Sequence, residues 1–238
     1  MARLTVPLSK VEPASARSRL LTLDISGHPF TYAAGQAINF GAHGTQDRKP
    51  FSIACSPEQA AATGALELLI ALDSADALAW ARPGILVDIE GPLGSFTLPD
   101  AFEQPRVLFV AGGTGIAPVR AMLDHMLRRD PSRKISLLYS TRRSDEFAFI
   151  DELRAHAAVG RIELHQTVTR DESGSSWEGG RGRIGRSHFD TVLHDPAATL
   201  CVVCGPPALV TESVATLREL GVPAASIRTE GWVTSRQE

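Results

Sequence analysis

The chain is poor in cysteine, with three among 238 residues. So few thiols cannot form a closed disulfide framework, and they predict a reducing compartment, the cytoplasm. They also fall short of the four thiolates of an iron–sulfur cluster, which excludes a built-in ferredoxin-type centre. Lysine is equally scarce, at three, so nearly all of the 24 cationic side chains are arginines. No stretch approaches the roughly 18 consecutive apolar residues of a membrane span. The N-terminal stretch lacks a basic segment followed by an apolar core, so no secretory leader is expected. The seven histidines are scattered and form no metal-spaced cluster. Gly-x-Ser-x-Gly does not occur, which speaks against a serine hydrolase. A net charge of −3 gives no reason to expect a nucleic-acid partner.

What is present is an ordinary globular composition, 43% hydrophobic, long enough for one large core or two modest ones. Its charge is uneven, with a balance of −4 over residues 1–103 and +1 over 104–238. The arginines of the second part suit fixed recognition of phosphates.

Two grammars divide the chain. Up to about residue 100, short β-prone runs are separated by Gly, Pro, Asp and Ser: Arg19–Ile25, Phe30–Tyr32, Ala37–Phe40, Phe51–Cys55, Leu66–Leu72, Leu86–Glu90 and Phe96–Leu98. This spacing predicts a small antiparallel barrel or sandwich, with one short helix over 73–81. From Arg106 strands and helices alternate, which predicts a parallel sheet covered on both faces. The expected division is therefore 1–102 and 103–238, across the polar, proline-bearing stretch at Pro99–Pro105.

The second part opens on its most informative stretch. Arg106–Ala111 is an apolar β-prone run, followed at once by Gly112, Gly113, Thr114 and Gly115. Ile116, Val119, Met122, Leu123, Met126 and Leu127 then recur at helical spacing, with Pro118 in the first turn. Strand, glycine turn and helix together offer backbone N–H groups and a positive dipole end to a pyrophosphate. A tight turn without a ligand fits the same residues. Later strands are expected at Ile135–Ser140, Ile162–Val168, Leu200–Cys204 and Ile227–Glu230. Helices are expected after Ser144 as N-cap, near Phe189–Leu193, and from Pro207 to a C′ glycine at Gly221. Residues 170–186 read as a long loop. Ligands of such sheets bind beyond the carboxyl ends of the strands. There Gly112–Gly115, Tyr139–Arg142, Thr169–Arg170, Cys204–Pro207 and Glu230–Trp232 meet on one rim. Cys201 and Cys204 form C-x-x-C, but within a strand their side chains point to opposite faces, which argues against a redox pair.

Four segments, in order, resemble the ferredoxin–NADP⁺ reductase superfamily. Lys49-Pro50-Phe51-Ser52-Ile53-Ala54 is similar to its flavin segment, and Gly91-Pro92-Leu93-Gly94-Ser95-Phe96 to its G-P-x-G-x-F. Ala111–Pro118 is similar to its A-G-G-T-G-[IL]-A-P segment. Cys204-Gly205-Pro206-Pro207 is similar to its C-G-P-P, with a near-terminal E-x-aromatic at Glu230 and Trp232. The resemblance implies a flavin-binding antiparallel barrel, then a nicotinamide-nucleotide domain, and hydride transfer from NAD(P)H to flavin at their interface. It implies catalytic roles for Ser52, Cys204 and Glu230. Phe51 would lie against the flavin, Trp232 would cover its other face, and Lys49 would face a flavin phosphate. Pro50, Ile53, Gly91, Gly94 and Ser95 complete the flavin segments, while Gly112, Gly113, Thr114, Gly115, Gly205 and Pro206 would admit the nucleotide.

Two departures qualify the pattern. Lys49 replaces the usual Arg, keeping the charge but losing the bidentate fork. The family's glycine-containing phosphate turn is replaced by Leu72-Asp73-Ser74-Ala75-Asp76-Ala77, where Ser74 matches the serine but two acids are added. FAD is the expected flavin, with FMN the alternative. Arg142 and Arg170, ending the second and third strands, favour NADPH over NADH. The electron acceptor is expected to be separate: ferredoxin, another redox protein or a small molecule. The alternative is an electron-transfer or regulatory subunit of a larger enzyme that binds flavin weakly.

Overall fold

A computed structural model describes residues 2–72, 78–170 and 176–230. Strands β1 (Ala2–Ser15), β2 (Ser18–Asp24), β3 (Ala37–Ala42), β4 (Lys49–Ser52), β5 (Ala65–Ala71) and β6 (Leu86–Leu93) form an antiparallel sheet in the order β4-β3-β6-β1-β2-β5. Its two edges meet, because Ile53 bridges Leu68 and the Ala54 N–H donates to the Glu67 carbonyl at 2.8 Å. Closure removes the edges and makes a barrel. Alternate residues such as Val6, Leu8, Leu21, Leu23, Ile38 and Ile89 fill it.

A connection over 94–105 leads to β7 (Arg106–Gly112), α2 (Ile116–Arg129), β8 (Lys134–Thr141), α3 (Ile150–Ala158), β9 (Glu163–Val168), β10 (Gly180–Arg181), α4 (Arg186–Val192), β11 (Thr199–Cys204), α5 (Pro207–Glu219) and β12 (Ile227–Thr229). The strands are parallel, in the order β10-β9-β8-β7-β11-β12. The sequence order reverses between β7 and β11, the crevice where ligands of open sheets bind. Strand alternation sorts the core into two layers. Val107, Phe109, Leu137 and Val202 face α2, while Leu108, Val110, Leu138 and Val203 face α4 and α5. Cys204 lies in the first layer and Cys201 in the second, so the two thiols point apart as the strand spacing predicts.

Several expectations are corrected. β1 lies where no strand was expected, since Pro7, Pro13 and a mostly exposed surface hide its pattern. It pairs with both β2 and β6, with register shifts at Leu8/Lys10 and Pro13/Ser15. Phe30–Tyr32 and Phe96–Leu98 are not strands. Tyr32 instead donates to the Cys55 carbonyl at 2.9 Å, and Phe96 packs into the core shared by the two halves. An unexpected helix, α1 (Pro57–Thr63), lies inside the barrel half, with Ser56 as N-cap and Gly64 closing it. The helix expected over 73–81 falls mostly outside the described residues. Ser144 starts a single 3-10 turn and caps nothing. α3 begins beyond Phe149, which stands at φ 58°. Within the expected loop over 170–186, Gly180–Arg181 adds a short strand to the sheet edge. Among the described residues no helix is long and apolar enough to cross a membrane.

The two halves are joined through α2. One apolar cluster runs from Ala34, Ala54, Leu69 and Phe96 of the first half to Phe109 and Met122 of the second. At its edge Arg120, only 6% exposed, donates to the Ala54 carbonyl at 2.9 Å. The same guanidinium pairs with Glu67 of the barrel and with Glu152 of α3, and lies 4.4 Å from the Phe149 ring centroid. Burial disfavours its charge, but the two carboxylates outweigh burial and leave its pKa raised. Ser56 and Glu58 reach α2 at Asp124 and His125. Removing a buried charge strands its partners, typically at a cost of about 3–5 kcal/mol. Arg120→Ala should therefore destabilise the protein by about 3 kcal/mol in urea unfolding, whereas the exposed Arg154→Ala should change little. Equal midpoints for the two variants would remove Arg120 as the pin between the halves.

Candidate active site between the two halves

The apolar β7 ends at Gly112, and Gly113–Gly115 make one 3-10 turn into α2. Two glycines there have different reasons. Gly113 sits at φ +54°, and a Cβ on it would meet nothing within 4 Å, so it faces open space. A Cβ on Gly115 would lie 2.6 Å from the Cys204 carbonyl oxygen, so Gly115 permits contact between the glycine turn and the end of β11. The turn is propped from below by Tyr139, fully buried on β8, whose hydroxyl donates to the Gly113 carbonyl at 3.2 Å. The Tyr139 hydroxyl oxygen in turn accepts from the Ala148 N–H at 3.2 Å. Burial raises the Tyr139 pKa, so the phenol stays neutral.

At the switch between β7 and β11 three side chains from distant parts of the chain meet. Ser52, ending β4, donates its hydroxyl to Glu230 Oε1 at 3.1 Å. The Cys204 thiol, at the end of β11, donates to Glu230 Oε2 at 2.8 Å. Glu230 follows β12 and thus holds the barrel and the parallel sheet together with one carboxylate. Cys204 is 2% exposed. Burial raises its pKa well above the ordinary value, and the Glu230 charge and hydrogen bond raise it further, so the sulfur is a neutral thiol at neutral pH. This is the opposite of an activated nucleophile. It suits a group that packs and donates.

Around this triad lies a cleft of about 690 Å³. Pro50, Phe51 and Ser52 form one wall, and the glycine turn with Gly205 and Pro206 forms the other. Arg142 and Arg170 line it beyond β8 and β9. The Arg170 N–H donates to the Arg142 carbonyl at 2.8 Å, so the two side chains start from neighbouring backbone. Other residues named from the sequence stand elsewhere. Lys49 is exposed and outside the cleft lining, and Ile53 points into the barrel core. Gly91 packs on Ile38, while Gly94 and Ser95 are exposed in the connection and do not line the cleft. Ser74 and Trp232 lie outside the described residues. Arg120 and the turn at Ser15, Arg17 and Ser18, which also lines the cleft, carry no signal in the sequence. Tyr139 falls on the rim expected at the end of the second parallel strand, but its hydrogen bond to Gly113 has no sequence signal. Among the described residues no group of His, Cys, Asp and Glu could hold a metal ion.

Comparison with known proteins agrees with this geometry. Residues 109–214 match the family described as Oxidoreductase NAD-binding domain. Ferredoxin–NADP reductase B of Sorangium cellulosum is 29% identical over 240 residues, covering 94% of this chain and 95% of that protein. The Neisseria gonorrhoeae ferredoxin NADP⁺ reductase, solved with bound FAD and NADP, superposes with a TM-score of 0.81 at 20% identity, covering 97% and 98% of the two chains. Amycolatopsis cytochrome P450 reductase GcoB superposes with a TM-score of 0.84 at 21% identity, over 96% of this chain and 69% of that one. A closed antiparallel barrel, a parallel sheet that reverses at its glycine turn, and these relatives make the chain similar to the ferredoxin–NADP⁺ reductase superfamily over nearly its whole length.

Proposed function

We propose that the chain accepts a hydride from NAD(P)H onto a flavin held between its two halves and passes the electrons to a separate acceptor. The observation that carries this reading is the Ser52–Glu230–Cys204 hydrogen-bonded group at the strand-order switch. The residues present fit such cofactors. The cleft volume is within the range of small-molecule sites, Phe51 offers an apolar face, and the open side of Gly113 admits close approach to a pyrophosphate. A bound flavin would supply hydride acceptance followed by release of single electrons.

The protein's own part is positioning. Ser52 presents a hydroxyl proton at the junction of the halves, and Glu230 fixes its direction. The neutral Cys204 thiol fills space beside the glycine turn without adding charge. Arg142 and Arg170 give the cleft two guanidinium groups suited to a ribose 2′-phosphate, which favours NADPH over NADH. FAD is the proposed flavin. The cytoplasm is the proposed compartment, where the three free, buried thiols stay reduced. The acceptor is a ferredoxin, another redox protein or a small molecule. A second reading, as the reductase component of a larger enzyme, draws on the likeness to the cytochrome P450 reductase. It predicts reduction by NAD(P)H without transfer to diffusible acceptors.

The test is an anaerobic visible spectrum of the purified chain supplied with FAD, then titrated with NADPH or NADH. A protein-bound band near ~450 nm that bleaches with nucleotide is expected; failure to bind flavin at excess would remove the reading. Ser52→Ala should slow the bleaching at least about tenfold, the effect of one lost hydrogen bond to a charged or developing group, while flavin stays bound. Arg142→Ala should raise the NADPH dissociation constant by about 10- to 100-fold, the worth of a charge-assisted contact. NADH should change less than about twofold, and equal losses on both nucleotides would dismiss the 2′-phosphate assignment.

A further inference from the structure

The turn between β1 and β2 is built with unusual care for a surface hairpin. Its Ser15 and Ser18 hydroxyls lie 2.7 Å apart, with Ser18 only 3% exposed, and the Arg17 N–H donates to Ser15 Oγ at 3.3 Å. The Arg17 carbonyl accepts from the Leu72 N–H at 2.8 Å, at the end of β5. The Ala16 N–H donates across the interface to the Asp145 carbonyl at 3.0 Å. The backbone of Arg17 is thus tied to its own turn, to a neighbouring strand and, through Ala16, to the other half of the molecule.

The guanidinium of Arg17, by contrast, makes no hydrogen bond or ion pair among the described residues, and Arg17, an exposed residue, is part of the cleft lining. It is the only cation that the barrel contributes to the described lining, since Lys49 stands outside it. Leu69 and Ala71, on the same lining, connect it along β5 towards Ser52. Glu146 is the nearby acid on that lining, and the Asp145 carboxylate is already engaged by Arg143 at 3.3 Å. A fixed backbone on the cleft wall that carries an unpaired guanidinium is suited to an anion. Its place matters because Leu72 opens the segment in which the family's glycine phosphate turn is replaced by acids.

We propose that Arg17, seated by Ser15 and Ser18, binds a phosphoryl group of a cofactor in the cleft and stands in for the missing glycine turn. The inference rests on the flavin reading above. A flavin phosphate and a nicotinamide-nucleotide pyrophosphate share this chemistry, and both are tested.

The experiment compares the wild-type chain, Arg17→Ala and Arg17→Lys. Riboflavin, FMN and FAD are titrated into flavin-free protein by fluorescence quenching, and NADPH and NADH by calorimetry. Thermal unfolding checks the fold. Arg17→Ala is expected to weaken FMN and FAD about tenfold, as loss of one charge-assisted contact would. Riboflavin, which has no phosphate, should change less than about twofold, and Arg17→Lys should recover part of the loss. If instead FMN and FAD are unchanged while NADPH and NADH weaken equally, the phosphate bound is the pyrophosphate of the nicotinamide nucleotide. A parallel fall for riboflavin, or no change for any ligand, overturns the proposal. If the wild type binds no flavin at all, the functional reading fails, and the nucleotide titrations still decide the role of Arg17.

Discussion

The geometry of the cleft depends on one buried guanidinium. Arg120 sits on α2, four residues beyond its first residue, Ile116, and therefore just behind the glycine turn. Its bond to the Ala54 carbonyl grips the chain two residues after Ser52. One rigid helix thus carries the glycine turn at its end and holds the strand that ends in Ser52 along its side. Arginine cannot shed its proton to escape burial, so the partners must come to it. Glu67 arrives from the barrel and Glu152 from α3. Phe149 takes a left-handed backbone conformation, costly for a bulky side chain, and its ring lies under the guanidinium.

The second tie is the Glu230 carboxylate. Each of its oxygens accepts from a different half of the molecule, one from Ser52 and one from Cys204. A single negative charge satisfied by two neutral donors leaves the centre of the cleft without a free cation or a thiolate. The cations of the lining stand away from it, on the β1–β2 turn and beyond β8, β9 and β10. This separation suits the proposed function, in which phosphates would need fixed positive charge and a hydride-transfer centre would need donors held in place in a poorly solvated setting.

The parts legible in the sequence were those written in local pattern. The change from period 2 to alternating strand and helix marked the two halves, and the apolar run into Gly112–Gly115 marked the strand, turn and helix of the site. The opposite facing of Cys201 and Cys204 followed from strand alternation alone. β1 was illegible because a barrel strand that buries little beyond Val6 and Leu8 carries almost no alternation, and its two prolines read as breaks. Phe30–Tyr32 and Phe96–Leu98 looked like strands because aromatic residues packed across a core share the composition of a sheet. Arg120, Arg17 and the bond from Tyr139 to the glycine turn were illegible for another reason. What distinguishes each of them is its long-range contacts, or for the Arg17 guanidinium their absence, and no spacing in the chain encodes that.

The glycine turn itself shows how such contacts bind the site together. Read as a motif, its glycines all serve a ligand. In the folded chain Gly113 alone faces open space, while Gly115 and Gly112 lie against Cys204, Gly205 and Pro206. Any side chain at Gly115 would push the Cys204 carbonyl, and with it the sulfur that holds Glu230. The glycine turn and the arm that carries the thiol are therefore one packed unit, not two sites that happen to be near. Since Glu230 also holds Ser52, a displacement at the turn reaches the barrel through two contacts, Gly115 to Cys204 and Glu230 to Ser52. Close packing leaves little room to absorb it. The spacing between the glycine turn and Ser52 is thus set twice, by Arg120 along the helix and by Glu230 across the cleft.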